Sequence, residues 1–197
     1  PGLFEGWGGI GRDYYLHMKS RAEREERNGR PIRVGAPYGG TDGPFSVGCN
    51  LRGATSFCLD ILEDPAYFHA MMDYLTESII FRIKGWRAFL GQPEKTPSMS
   101  LADDSISLLS ADMYRDLVLP YHKRIADALS TGEKPNSMHL CGDAGRHFKL
   151  IRDELRTMTF DTGYPLDHAK TVEELGPDVT VYGGVPVGLL QHGTPGQ

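Results

Sequence analysis

The chain carries an imidazole and a thiol two residues apart, His139 and Cys141, within Met138-His139-Leu140-Cys141-Gly142-Asp143. In an extended strand, residues i and i+2 point to the same face. Both side chains can therefore reach one divalent cation, the nitrogen at about 2.0–2.1 Å and the sulfur at about 2.3 Å. Gly142 then lets the backbone turn sharply away. The plain alternative is a small, buried Cys141 beside a His139 that hydrogen-bonds a neighbouring strand end. A tetrahedral site also needs further ligands, and no Cys-x-x-Cys supplies them.

Carboxylates stand at other positions where chemistry is expected. Asp103 and Asp104 are adjacent, so in extended backbone they point opposite ways. One can face a site while the other caps a turn, and a solvated turn is the alternative for the pair. Asp161, in Phe160-Asp161-Thr162-Gly163-Tyr164-Pro165, reads either as a site carboxylate or as the close of an Asx-turn. His147, on a helix, and His192, in a loop, read as surface residues. Gly6-Trp7-Gly8-Gly9-Ile10-Gly11 has the spacing G-x-G-x-x-G, but only Leu3 and Phe4 are available as the strand that a dinucleotide site requires. A flexible loop before a helix is the reading.

The elements that must position these groups alternate in period. Ile32 to Ala36 reads as a short strand after the Asn28-Gly29 turn signal, followed by a Gly/Pro-rich loop from Pro37 to Pro44. Asp64-Pro65 opens a helix, with Asp as cap and Pro at the first position. Its stripe runs Phe68, Met71, Met72, Leu75, Ile79, Phe81, Ile83 and Trp86, and it ends near Gly91. Further strands are expected at 99–102, 137–141, 158–160 and 179–182. Helices are expected from Ser110 to Leu129, kinked or split by Pro120, from Gly145 to Arg156, and from Ala169 to Leu175. Strand and helix repeat with no hairpin signal between strands, which implies a parallel sheet.

The reactive residues collect just after strands: Asp103 and Asp104, His139 with Cys141, Asp161, then Gly183 and Gly184. Polar strand ends converging on one rim are the arrangement of a barrel. About five units in this length suit a TIM-type (β/α)8 barrel incomplete at both ends, read as one domain over 1–197 with an N-terminal loop and helix over 1–30. Thr194-Pro195 resembles a helix start, so the sequence reads as a fragment.

The composition is that of a soluble globular protein: 197 residues, 40% hydrophobic and 24% charged, with a net charge of -5. The acidic balance and scattered basic residues give no footprint for nucleic acid or for a membrane surface. No apolar run approaches the ~20 residues of a membrane span, and with no basic-then-apolar leader the expected location is the cytoplasm. Of the three cysteines, Cys58 is expected to be an inert core thiol and Cys49 a loop residue without a role.

Several stretches, in this order, together resemble the uroporphyrinogen decarboxylase superfamily. They are Gly43-Pro44-Phe45, Leu62-Glu63-Asp64-Pro65, Asp103-Asp104, Leu109 to Tyr114, Leu119-Pro120-Tyr121, His139 to Gly142, Phe160-Asp161, Tyr182 to Pro186, Leu189-Leu190 and Gly193-Thr194-Pro195. That superfamily includes cobalamin-dependent methyltransferases, which move methyl groups from methylated corrinoids to thiols. The resemblance covers roughly residues 31–197 and implies a TIM-type barrel. It also implies zinc on His139 and Cys141, with a third protein ligand, a distant Cys, expected beyond Gln197. Asp104 or Asp161 would fix the His139 tautomer and serve as catalytic carboxylates, with Gly183 and Gly184 as cofactor-binding positions. A methyl-corrinoid would be co-substrate, and a small thiol or tetrapyrrole and a corrinoid protein would be partners. The other branch implies a metal-free decarboxylase, for which Arg33 or Arg52 would meet substrate carboxylates. A non-catalytic tetrapyrrole- or corrinoid-binding scaffold is the third reading.

Overall fold

The computed structural model describes residues 2–35, 37 and 42–194. Helix α1 spans Trp7–Ala22 and buries none of its residues. It begins inside the glycine-rich segment, so the expected flexible loop is the first turns of a helix. Strands β1 (Glu26–Arg27) and β2 (Arg30–Pro31) form an antiparallel hairpin. Its turn residues Asn28 and Gly29 have φ of 53° and 70°, the doubly left-handed geometry of an Asn-Gly type I′ turn. That turn signal therefore belongs to a hairpin, and Ile32 to Gly35 are not a strand. Ala36 and Pro195, at the limits of two expected elements, lie outside the described residues.

Two helices follow that the periodicity did not reveal, α2 (Pro44–Arg52) and α3 (Ala54–Glu63). Cys49 is buried on α2 rather than in a loop, while Cys58 on α3 is half-buried against the core. Asp64 then caps α4 (Pro65–Phe89), accepting from the Tyr67 N–H at 3.0 Å. Phe68, Met72, Leu75, Ile79 and Ile83 bury one stripe of α4, whereas Phe81 faces outward.

The sheet consists of β3 (Ser100–Ala102), β4 (Asn136–Leu140), β5 (Thr157–Thr162) and β6 (Thr180–Gly183). These four strands are parallel and lie side by side in chain order. That order is the barrel's, but a closed barrel is not present among the described residues, and four strands stand where five were expected. Buried Asn136 ties the sheet together at its amino end. Its side chain accepts from the Met99 N–H at 2.9 Å and donates to the Leu155 carbonyl at 2.7 Å. Between Asn136↔Thr157 and Ser137↔Thr159 the register steps by one, leaving Met158 as an extra residue on β5.

Ser110 caps α5 (Ala111–Met113), and Tyr114–Val118 form a π-turn that leads into α6 (Leu119–Leu129). Pro120 has no N–H to return to the preceding turn. The ladder widens there, which is the expected irregularity. The remaining helices are α7 (Gly145–Leu155), α8 (His168–Leu175) and α9 (Val187–His192). One face of the sheet carries Leu101, Met138, Leu140 and Phe160, all buried in the same core as Ile125, Phe148 and Ile151 from the helices. The opposite face carries Ser137, His139, Thr159 and Asp161, all half-buried.

Candidate metal centre

Strand alternation decides which groups meet. Ala102, His139, Asp161 and Tyr182 lie in one row across the sheet. Side chains in such a row share a face, so His139 and Asp161 project together. The Asp161 Oδ2 stands 2.8 Å from His139 Nδ1. A carboxylate facing Nδ1 requires that nitrogen to carry the proton, which leaves the lone pair on Nε2. Nε2 points at the Cys141 Sγ, 3.0 Å away.

Asp104 closes the third side. Its Oδ1 accepts the Cys141 backbone N–H at 2.7 Å and lies 3.9 Å from His139 Nε2. One ligand atom each from Asp104, His139 and Cys141 falls within 4.8 Å of the others. The side chains of His139, Asp104 and Asp161 are 39%, 45% and 40% exposed, so the cluster opens to solvent. Burial first, then the charges of Asp104 and Asp161, raise the Cys141 thiol above its ordinary pKa. A carboxylate oxygen, an imidazole lone pair and a thiol converge on a point that disfavours further negative charge. This donor set fits a divalent cation with mixed nitrogen, oxygen and sulfur preference, of which zinc is the usual example.

Asp103 turns away from the cluster and is fully buried. Strand β3 has ended at Ala102 and Asp104 opens a 3-10 turn over Asp104–Leu108, so the turn, not strand alternation, separates the two carboxylates. Helix α2 starts at Gly43, which offers no capping side chain, and Pro44, which has no N–H. Asp103 supplies the cap from 57 and 58 residues away, accepting from Ser46 N–H at 2.7 Å and Phe45 N–H at 3.2 Å. Gly43 must be glycine because a Cβ there would sit 2.2 Å from Asp103 Oδ2. His122 Nε2 lies 2.8 Å from the same oxygen, and its Nδ1 meets the Tyr114 hydroxyl at 3.0 Å. Burial, then the Asp103 charge, hold the Tyr114 phenol well above its ordinary pKa, so it stays a donor.

Residues 36–197 match the uroporphyrinogen decarboxylase (URO-D) family. The chain belongs to that family. It is 31% identical over 158 residues to a methylated-thiol–coenzyme M methyltransferase of Methanosarcina mazei, covering 78% of this chain and 40% of the relative. It is 23% identical over 171 residues to the methylcobamide:CoM methyltransferase MtbA of Methanosarcina acetivorans, covering 86% and 48%. The chain thus spans less than half the length of these curated relatives. A solved methyltransferase from Methanosarcina mazei superposes with a TM-score of 0.63 at 16% identity, over 91% of this chain and 49% of that one. At that identity the likeness is one of fold.

Among URO-D features expected from the sequence, the structure brings Asp104, His139, Cys141 and Asp161 together. Asp161 bonds the imidazole, and Asp104 bonds the Cys141 backbone instead. Gly183 and Gly184 stand apart from this contact set. Both have positive φ, and a Cβ on Gly183 would lie 2.1 Å from the Thr162 carbonyl oxygen, so glycine there has a reason internal to the β5–β6 exit. Arg52 pairs with Asp60, at 3.0 Å. Arg33 lines a groove against Trp7 and Tyr14 of α1. His192 ends α9 rather than lying in a loop.

His147 corrects an expectation. It is fully buried, with Nε2 at 3.0 Å from the Ile106 carbonyl, and burial, then Arg146, push its pKa down to about 4. The signal was present in the helical spacing His147, Ile151, Leu155, all on the buried face of α7. Sequence reading also assigned nothing to His122, which occupies the buried stripe of α6 with Leu119, Ile125 and Leu129. No helix among the described residues is long and apolar enough to cross a membrane.

Proposed function

We propose that this chain is part of a zinc-dependent methyltransferase that transfers a methyl group from a methyl-corrinoid to a small thiol. The observation that carries the reading is the convergence of Asp104, His139 and Cys141 within 4.8 Å, with Asp161 orienting the imidazole. The methyltransferase names of the relatives support the same choice. Against the metal-free decarboxylase stands the engagement of Arg52 with Asp60, away from a carboxylate-binding role.

A bound zinc ion would supply Lewis acidity, lowering the pKa of an incoming thiol so that it ionises near neutral pH. The protein's part is to hold the ligand atoms. Asp161 keeps the proton on His139 Nδ1 and so keeps the Nε2 lone pair available. Asp104 fixes the Cys141 backbone while presenting its carboxylate to the same point. The open face admits the thiol and lets its proton leave to water. The ionised sulfur would be the nucleophile toward the methyl carbon of a methyl-corrinoid substrate, and the carbon–cobalt electron pair would leave with the corrinoid. Gly183 and Gly184, at the end of β6 and without side chains, are the stretch of rim against which we place the corrinoid. In this reading a further protein ligand lies outside the present sequence, and the partners are a thiol and a corrinoid protein.

The test uses the full-length protein. Elemental analysis should find bound zinc, lost in His139→Ala and Cys141→Ala, and methyl transfer from methylcobalamin to 2-mercaptoethanol should fall to background in both. Zinc-free protein whose activity is unchanged in both variants would overturn the proposal.

A further inference from the structure

We infer that Tyr114, His122 and Asp103 form a buried positioning chain whose task is to hold Asp104 at the ligand cluster. A fully buried carboxylate is destabilising unless its oxygens are satisfied, and apolar residues in its place are often more stable. Helix α2 could be capped locally by a Ser or Asp at position 43. Instead Gly43 leaves room for a charge brought from the end of β3, the residue immediately before Asp104.

The connections then concentrate on one short run of backbone. Asp103 is held by two α2 amides and by His122 from α6. On the other side of Asp104, the Ser105 N–H donates to Ser46 Oγ at 2.9 Å. Asp104 is thus pinned on both flanks to α2, and its own carboxylate reaches across to the Cys141 N–H. His122 must donate from Nε2 to a carboxylate, so its Nδ1 accepts, and Tyr114 O–H is the donor that satisfies it. Tyr114 opens the π-turn, an irregularity frequent at functional sites. Every side-chain polar atom of Tyr114, His122 and Asp103 has a partner, and a fully satisfied network fixes a unique arrangement.

The metal readout rests on the proposed function, whereas the first test does not need a metal. In the metal-free full-length protein, hydrogen exchange of the Cys141 amide reports the Asp104 contact directly. His122→Leu should accelerate it about tenfold or more relative to the β4–β5 ladder amides, as loss of one charge-assisted bond implies. His122→Gln, which retains a donor near Nε2, should restore slow exchange. Tyr114→Phe, the milder change and the one used if His122→Leu does not fold, should accelerate exchange in the same direction, by about threefold. In protein that binds zinc, the same order of variants should appear in zinc affinity. Unchanged Cys141 exchange in folded variants, or no rescue by His122→Gln, would overturn the inference. Absence of zinc from the wild type would instead overturn the proposed function and leave the exchange test standing.

Discussion

Replacing Asp161 by Ala removes the acceptor that holds the His139 ring, and its effect can be sized from the geometry. The contact is short, 2.8 Å, but the two side chains are 39% and 40% exposed, so water screens their charge. Loss of such a partner behind a metal ligand typically weakens metal binding by about 10–100-fold. With this exposure the lower part of that range applies, about 10–30-fold, or roughly 1.4–2 kcal/mol. Asp161→Asn keeps an oxygen able to accept the Nδ1 proton and should weaken binding only by about threefold. The stability of metal-free protein should change by less than about 1 kcal/mol, because a half-exposed pair contributes little on its own. The assay is zinc competition against a chromogenic chelator on full-length protein, with urea unfolding of the chelator-treated variants beside it. An Asp161→Ala variant that binds zinc as tightly as wild type would refute the claim that Asp161 sets the tautomer.

Two other predictions concern groups beneath the site. His147 has a folded pKa of about 4 against an ordinary 6.5, so the unfolded chain takes up its proton first as pH falls. Its contribution is complete above about pH 6.5 and is lost progressively down to about pH 4, roughly 3 kcal/mol in all. Urea unfolding at stepped pH should show this loss, and His147→Gln, which keeps a donor for the Ile106 carbonyl, should flatten that part of the curve; an unchanged slope would contradict the assignment. Gly43→Ala forces a Cβ against the Asp103 carboxylate, and overpacking together with weakened capping bonds should lower stability by about 2–4 kcal/mol. A melting temperature within a degree of wild type would show that the carboxylate can move aside.

Much of the site was readable because strand geometry is local. The i, i+2 rule put His139 and Cys141 on one face, and the adjacent acids pointed opposite ways without further information. Asp103 and Asp104 do diverge, but β3 has ended at Ala102 and Asp104 opens a 3-10 turn, so the strand rule reaches the outcome without its cause. What could not be read were long-range partners. Nothing around residue 43 announces that its helix cap arrives from residue 103, and Gly43 gains meaning only once the carboxylate lies on it. Helices α2 and α3 were hidden because Gly48 and Gly53 interrupt their pattern, and Ile32 to Gly35 have strand propensity but find no strand to pair with among the described residues. His122 and His147 were misjudged or passed over for another reason. Polar side chains on buried helical stripes were there to be seen, but periodicity counts apolar residues.

The extra residue on β5 has an effect out of proportion to its size. Continued without Met158 as a supernumerary, the pairing that begins at Asn136↔Thr157 would set Phe160, not Asp161, opposite His139. Because faces alternate, the benzyl ring would stand among the polar groups and the carboxylate would turn into the helical layer. One inserted position therefore acts as a phase shift, bringing two otherwise independent strands into step for chemistry. Every reactive group is in the chain in either register, but only the one in which Met158 stands outside the ladder brings them together; deleting Met158 would make the ladder regular and leave Asp161 opposite His139.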